Sequence, residues 1–374
     1  MSTAMGASDE LAKTYDDVIN LSLGDPDITT HRLIIDGAFK DAAAGHTKYT
    51  DFRGDPELRE EIARYYKEKF DLRLEDSQII VTTSGCIAMY LTLEAILDDG
   101  DEVILPTPCF TPYLQQVKLA RGVPVPLETY EEEGFQINVE RLRGKLTERT
   151  RAIVLNTPAN PTGAVFSRKV LEQVAALADE YDLMVIADEI YTLYVYEGEF
   201  FPFSSLPGMA ERTVTINSFS KDYLMTGWRI GNIVAPAPIV QTIQQINENV
   251  AFTSPSISQR AAIHALRNRK EIQPAILAEF RYRVFEAARC IASIPNMSVL
   301  PPQGAFYLFA NVKGTGKRSI ETAEAILREA HVLVLPGDTF GACGEGYVRI
   351  ACTCPAEKLR EAFTRIAGMP IFRH

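Results

Sequence analysis

Residues 151–191 read RAIVLNTPANPTGAVFSRKVLEQVAALADEYDLMVIADEIY. An apolar run is followed by a turn rich in Pro and Asn, an amphipathic stretch and a second apolar run. In the amphipathic stretch Val170, Leu171, Val174, Leu177, Ala178 and Tyr181 fall on one helical face, and Ser167 stands where an N-cap belongs. Leu183–Asp188 is apolar up to its last residue, the pattern of a strand buried on both faces. The same alternation extends outward. Upstream lie a strand at Ser77–Thr83, a helix from about Ser84 to Leu97 and a strand at Asp101–Pro106; downstream a strand at Arg212–Asn217. Strands alternating with helices predict an α/β large domain with a mostly parallel central sheet flanked by helices. After about Pro238 long helical segments run to about Ile294. Then come GAFYLFANV, SIETAEAILREA, HVLVLPG and GYVRIACTCP, which predict a smaller α+β domain. The expected division is 1–35 as an N-terminal segment joining the small domain, 36–265 as the large domain and 266–374 as the small C-terminal domain.

Open α/β sheets bind ligands beyond the carboxyl ends of their strands. Four such ends carry small, polar or ionisable residues: Thr82-Thr83-Ser84-Gly85-Cys86, NTPANPTG after Leu155, Asp188-Glu189, and NSFSK after Ile216. Asp188 alone is compatible with a helix cap. LMVIADE also fits the magnesium-binding run of P-loop NTPases, but that class needs G-x-x-x-x-G-K-[ST]. The nearest piece, KGTGKRS at Lys313–Ser319, lacks the first glycine at the required spacing, which excludes it. The Ser-Gly turn entering a helix suits a phosphate, because helix N-termini offer free N–H groups and a favourable dipole. Lys221 sits in NSFSKDYLMTGWRIG (Asn217–Gly231), bracketed by Phe219, Tyr223, Leu224, Met225 and Trp228, the only tryptophan in the chain. A lysine in such apolar company is not placed for solvation.

Composition narrows the partners. The 374 residues carry a net charge of −11, with 46% hydrophobic and 23% charged residues, so a nucleic-acid backbone is excluded as a partner. No basic run suits an anionic membrane surface, and no apolar stretch approaches a membrane span. The opening MSTAMGASDELAKTYDD lacks the basic and apolar regions of a secretory signal. Six cysteines without a C-x-x-C pair predict neither a zinc site nor a disulfide framework; Cys352 and Cys354 are one residue apart. The expectation is a cytoplasmic protein with no metal.

NTPANPTG, ADEIY and SFSKDYLMTGWRIG, in this order, resemble the class I/II aminotransferases among the pyridoxal-phosphate (PLP) enzymes of fold type I. LSLGDPD, KYTDFRGDPELREEIARYY, PTPCFTPY, PPQGAFYLF and PGDTFGACGEGYVRIAC extend the resemblance from about Ile19 to Cys352. It implies that Lys221 forms the Schiff base with PLP and that Asp188 meets the pyridine nitrogen. Tyr191 and Asn160 are similar to the partners of the ring's 3-oxygen. Ser218, Ser220 and Arg229 match phosphate ligands, together with Ser84 and the backbone of Gly85 and Cys86. Phe110 falls where an aromatic ring stacks on the cofactor. Arg349 is similar to the arginine that grips the substrate α-carboxylate, with Gly24 and Asn160 nearby. Tyr49 falls where a tyrosine reaches the phosphate of the other subunit, so the resemblance implies a homodimer. The chain departs from the pattern at Phe110, where many relatives have Trp or Tyr, at the Ser-Gly-Cys-Ile turn, and at Ser22, where many have Gly. Cys86 is expected to be a small packing residue whose backbone matters, Trp228 to pack its turn, and His264 and His331 to have no catalytic role.

The resemblance implies an aminotransferase moving an amino group from an L-amino acid to a 2-oxo acid such as 2-oxoglutarate; Phe110, Tyr113, Tyr49 and Tyr191 point to an aromatic-lined pocket and a broad or apolar/aromatic donor. A lyase, a decarboxylase or a cyclising synthase on the same scaffold (C–S lyase or ACC-synthase-like) is the alternative. A sensor fused to a winged helix is not expected, since little sequence precedes LSLGDPD.

Overall fold

A computed structural model describes residues 11–373. The reading of the first ten residues therefore lies outside the described residues. A short strand β1 (Ile19–Asn20) opens the ordered pattern. The main sheet follows, from β2 (Ile79–Thr82), β3 (Glu102–Thr107), β4 (Val123–Glu128), β5 (Thr150–Asn156), β6 (Met184–Asp188), β7 (Thr213–Ser218) and β8 (Gly231–Val234). Their order across the sheet is β2-β8-β7-β6-β5-β3-β4. All neighbours are parallel except at β8, which runs antiparallel to both β2 and β7. Register aligns Asn156 with Asp188 and Asp188 with Ile216, so three strand ends stop side by side.

The helices form where their patterns place them. Arg168–Glu180 buries Leu171, Val174, Leu177 and Ala178, and Ser167 accepts from the Val170 N–H. Gly85–Ile96 begins at Ser84, whose Oγ accepts from the Ile87 N–H at 3.1 Å. That cap satisfies one of the orphan donors of the first turn. Two strands lie outside the sequence reading. β4, GVPVPLE with its two prolines, occupies the sheet edge, the one place a strand tolerates residues without an N–H. β8 has only four residues, too few for a periodic signal.

A helix at Arg269–Ala292 leads to the second unit. There β9 (Tyr307–Asn311), β11 (Leu335–Pro336) and β12 (Tyr347–Ala351) form an antiparallel sheet in the order β11-β12-β9, and β10 (Val332–Leu333) pairs in parallel with β1. Helices Ser319–Ala330 and Ala356–Ala367 pack beside it. Among the described residues no helix is long and apolar enough to cross a membrane. All six cysteines are free.

Candidate active site

The aligned ends of β2, β5, β6 and β7 open into two adjoining cavities, of about 160 and 890 Å³. The smaller is walled at one end by Ser84, Gly85, Cys86, Ser218, Ser220 and Arg229. Here β8 and the start of the 85–96 helix touch backbone to backbone. A Cβ on Gly231 would stand 2.8 Å from the Asn217 carbonyl oxygen and 2.9 Å from the Gly85 nitrogen, so only glycine lets them meet. Ser218 ends β7 and caps the four-residue helix Phe219–Asp222 through the Ser220 N–H, at 3.1 Å; its hydroxyl meets that of Ser220 at 2.9 Å. Arg229 adopts a left-handed conformation (φ 53°) after the Thr226–Trp228 turn and donates to the Thr226 carbonyl at 2.6 Å. Helix N–H groups, hydroxyls and a guanidinium stand together on one wall, the donor types that suit an anion.

Asp188 lies at the other end, buried at the tip of β6. Tyr113 donates its hydroxyl to Oδ2, and the Asn156 amide holds the Asp188 carbonyl at 3.1 Å. Oδ1 has no hydrogen-bond partner. Burial pushes the carboxyl up to about 6, against the lowering effects of the Tyr113 hydroxyl and of the Ile190 N–H, which points toward the carboxylate without a well-formed bond to Oδ1. An unpaired buried carboxylate oxygen is costly unless something cationic or hydrogen-donating meets it. Phe110, edge-on to Tyr113 at 5.6 Å, lines both cavities between the two ends.

Lys221 stands where the cavities join. Its Nζ donates to the Gly24 carbonyl at 2.5 Å. Burial lowers its pKa to about 8, with Arg349 and Arg229 pressing the same way and Asp25 opposing. An amine poised near neutrality is suited to act as nucleophile and base. In the larger cavity Arg349, in the middle of β12, is buried. It donates through Nη1 to Asn160 Oδ1 at 2.9 Å and through Nη2 to the Ser22 carbonyl; its Nε is unpartnered. Its guanidinium lies 4.7 Å from the Tyr307 ring centre and 4.8 Å from that of Phe340. Asn160 is itself fixed by its N–H on Asn156 Oδ1, at 2.8 Å. The Tyr191 and Tyr307 hydroxyls meet at 2.9 Å, and burial holds both phenols above their ordinary pKa.

The structure thus brings together Gly24, Ser84, Gly85, Cys86, Phe110, Asn160, Asp188, Tyr191, Ser218, Ser220, Lys221, Arg229 and Arg349. Tyr49 is not among them. It is 82% exposed, edge-on to Phe252 at 5.0 Å. Cys86 corrects its expectation as a packing residue: it is exposed, and Gln116 donates to its carbonyl at 2.8 Å. Ser22 turns its hydroxyl to Asn20 Oδ1, at 2.7 Å, which frees its carbonyl for Arg349. Trp228 packs its turn and donates to Thr30 Oγ1 at 3.1 Å, while His264 and His331 pair with Asp41 and Asp17 away from the cavities. Sequence reasoning missed Tyr113 and Tyr307 as the partners of Asp188 and Tyr191. Tyr113 follows Phe110 by three residues at a helix start, a spacing that puts both on one side.

The chemistry on offer is an anion cradle, a buried carboxylate with a free oxygen, a flat apolar wall, an activated amine and an arginine beyond it. A sequence profile described as "Aminotransferase class I and II" matches residues 16–366. The chain is 40% identical over 362 residues to the aspartate aminotransferase of Pyrococcus abyssi, covering 96% of this chain and 92% of that one. It is 39% identical over 363 residues to the aromatic-amino-acid aminotransferase 2 of Thermococcus litoralis, at the same two coverages. The solved structure of the aromatic aminotransferase from Pyrococcus horikoshii OT3 superposes with a TM-score of 0.91 at 37% identity, covering 96% of this chain and 97% of that one.

Proposed function

This chain belongs to the class I and II aminotransferases, a PLP-dependent family, and from that premise we propose which of its residues do what. The unpaired Oδ1 of Asp188, opposite the cradle of Ser84, Gly85, Cys86, Ser218, Ser220 and Arg229, is the observation that carries the assignment. A phosphate at one end and a protonated ring nitrogen at the other satisfy both. When bound, PLP supplies the electron sink that amino-acid chemistry at the α-carbon requires. Asp188 keeps a ring nitrogen protonated, since an opposite charge favours the charged form. Phe110 covers the ring face, and Tyr191 with Asn160 holds the 3-oxygen. Lys221 is the amine that would hold the cofactor's aldehyde, and its lowered pKa suits it to take up the proton of the substrate α-carbon. Arg349 binds the α-carboxylate, its Nε free and its other donors oriented by Asn160 and Ser22. A planar fork of this kind fixes the substrate's rotation as well as its position.

The donor is an apolar or aromatic L-amino acid. Apart from Lys221 and Arg349, the only charged side chain lining the larger cavity is Asp25, and Leu23, Phe110, Ile190, Leu335 and Phe340 supply apolar walls. A side-chain carboxylate finds no second cation there. The acceptor is 2-oxoglutarate; Leu23, partly exposed, is among the residues lining the larger cavity. A second copy of the chain completes the site with Tyr49, which the exposed cluster of Tyr49, Phe52 and Phe252 supports. The β1–β10 ladder supports grouping 1–35 with the small domain at 266–374, apart from the large domain at 36–265. Free cysteines accord with a reducing, cytoplasmic setting.

The test is a panel of single amino acids with 2-oxoglutarate, run beside Lys221→Ala. Phenylalanine, tyrosine and leucine are expected to outrun aspartate by roughly tenfold or more, as for a site with no partner for a second charge. Hydride reduction is expected to fix PLP on Lys221, seen as a mass adduct on its peptide. Aspartate as the best donor sinks the substrate assignment, and an adduct-free Lys221 sinks the site.

A further inference from the structure

Beside the Phe219–Asp222 helix lies a further space of about 20 Å³, which shares Ser218 with the smaller cavity. Its lining includes Tyr66, Asn217, Asp222, Tyr223 and Asn232. A void of that size holds one water, provided two to four polar groups receive it. Four of these side chains have buried atoms without a hydrogen-bond partner: Asp222 Oδ1, Tyr223 Oη, Asn232 Nδ2 and Tyr66 Oη, the last facing Asn217 without a well-formed bond. A water has two donors and two acceptors, the complement of a carboxylate oxygen, an amide N–H and two phenols.

The second oxygen of Asp222 faces the turn that follows β6. Oδ2 accepts from Thr192 Oγ1 at 2.8 Å and from the Leu193 N–H at 3.1 Å, and next to it Tyr194 donates to the Lys221 carbonyl at 2.8 Å. Asp222 therefore joins two pieces of the site: the Phe219–Asp222 helix that carries Lys221, and the turn after β6 that carries Tyr191. A four-residue helix has almost no hydrogen bonding of its own to hold it in place. Its orientation has to come from outside.

We propose that Asp222 is a positioning residue for Lys221, clamping the lysine's helix to the Tyr191 turn through Oδ2 and anchoring it through Oδ1 to a single buried water. The water site is built from Asp222, Tyr66, Tyr223 and Asn232. The inference rests on the assignment of Lys221 as the residue that captures PLP. Burial raises the Asp222 carboxyl to about 6, with Lys69 and the two donors from the turn opposing, which agrees with a group held in place by hydrogen bonds rather than by an ion pair.

The experiment measures the rate at which added PLP becomes fixed on Lys221, read by hydride reduction and peptide mass. In that reaction the Lys221 nitrogen bonds to the aldehyde carbon, water leaves, and borohydride reduces the new carbon–nitrogen bond. Asp222→Asn keeps an oxygen for Thr192 and Leu193 and is expected to stay within about threefold of the parent, whereas Asp222→Ala is expected to slow capture roughly tenfold, the loss of about one strong buried hydrogen bond. Should Asp222→Ala not fold, Thr192→Val keeps the volume, removes one donor, and is expected to slow capture several-fold. A crystal structure is expected to show one water within hydrogen-bond distance of Asp222 Oδ1 and Asn232 Nδ2. Capture at the parent rate in Asp222→Ala or Thr192→Val overturns the inference. So does an Asp222→Asn protein as slow as Asp222→Ala, or a dry chamber with Asp222 bonded directly to Tyr223. A parent protein that leaves Lys221 unlabelled defeats the PLP assignment instead, so the two failures are distinguishable.

Discussion

Replacing Gly24 by Ala tests how tightly the N-terminal segment is fitted to the site. A Cβ at Gly24 would stand 1.8 Å from the Tyr307 hydroxyl oxygen and 2.9 Å from the ring carbon that bears it. Ordinary contact begins near 3.4 Å, so the hydroxyl must retreat by at least ~1.6 Å. It has nowhere easy to go. The Tyr307 hydroxyl bonds that of Tyr191 at 2.9 Å, its ring lies 4.7 Å from the Arg349 guanidinium, and Phe306 stands 4.9 Å away centre to centre. Breaking the Tyr191–Tyr307 bond in a buried setting costs ~1–3 kcal/mol, and overpacking costs a further ~1–3 kcal/mol. The alternative is for residue 24 to move away, and its carbonyl is what Lys221 Nζ holds. Either way Gly24→Ala is expected to lose ~2–6 kcal/mol of stability, slow PLP capture, or both. Tyr307→Phe removes the offending oxygen but leaves Tyr191 unpaired. The double variant is therefore expected to be better than additive by ~1 kcal/mol or more. Denaturant midpoints and capture rates of the four proteins measure this. Strict additivity, or Gly24→Ala with parental stability and capture, refutes the close fit.

The pH dependence of the cofactor-free protein follows from three buried acids. Burial raises Asp188 and Asp222 to about 6 and Glu189 to about 8. Between ordinary carboxylate values and these, the folded chain binds more protons than the unfolded one, so stability is greatest at the acid end and is lost as pH rises. The melting temperature is expected to fall from about pH 5.5 to 7, before Lys221, which burial lowers to about 8, begins to oppose the trend, and to fall less steeply with PLP bound, because a ring cation removes the Asp188 share; a flat or rising curve over that range contradicts it. Arg349→Lys keeps the charge but loses the fork, and is expected to raise the amino-acid KM roughly tenfold or more without slowing PLP capture; steady-state kinetics alongside hydride labelling check both halves.

The strand–helix alternation around residues 151–191 was readable because each element has its own period and the strands are apolar on both faces. The placement of Asp188, Ser84 and Ser218 at strand ends followed from it. What stayed hidden needed three dimensions. β8 is four residues long and gains its identity only by lying antiparallel between β2 and β7. β4 carries prolines that argue against a strand until its edge position is known. Tyr113 and Tyr307 are ordinary aromatics in sequence; they become site residues only because the 112–119 helix and β9 aim their hydroxyls at Asp188 and Tyr191. The carbonyls of Ser22 and Gly24, which hold Arg349 and Lys221, carry no side-chain signal at all.

Two sets of buried atoms without partners differ in the space in front of them. Asp188 Oδ1 and Arg349 Nε belong to residues lining the two large cavities, where a ligand of matching charge can reach them. Asp222 Oδ1, Tyr223 Oη and Asn232 Nδ2 belong to residues lining a chamber with room for one water. Both sets cost folding free energy until they are met, because a buried polar atom keeps its desolvation penalty. The first set is met only by cofactor and substrate, so binding recovers that cost and is strengthened by it. On the proposal above, a water meets the second set before any ligand arrives. Lys221 stands between the two: its amine reaches the Gly24 carbonyl at the larger cavity, and the helix that carries it is fastened through Asp222 to Thr192. A site that must bind an anion, orient a carboxylate and move a proton needs loose ends toward the ligand and none behind the moving group, and this division of unpaired atoms provides both.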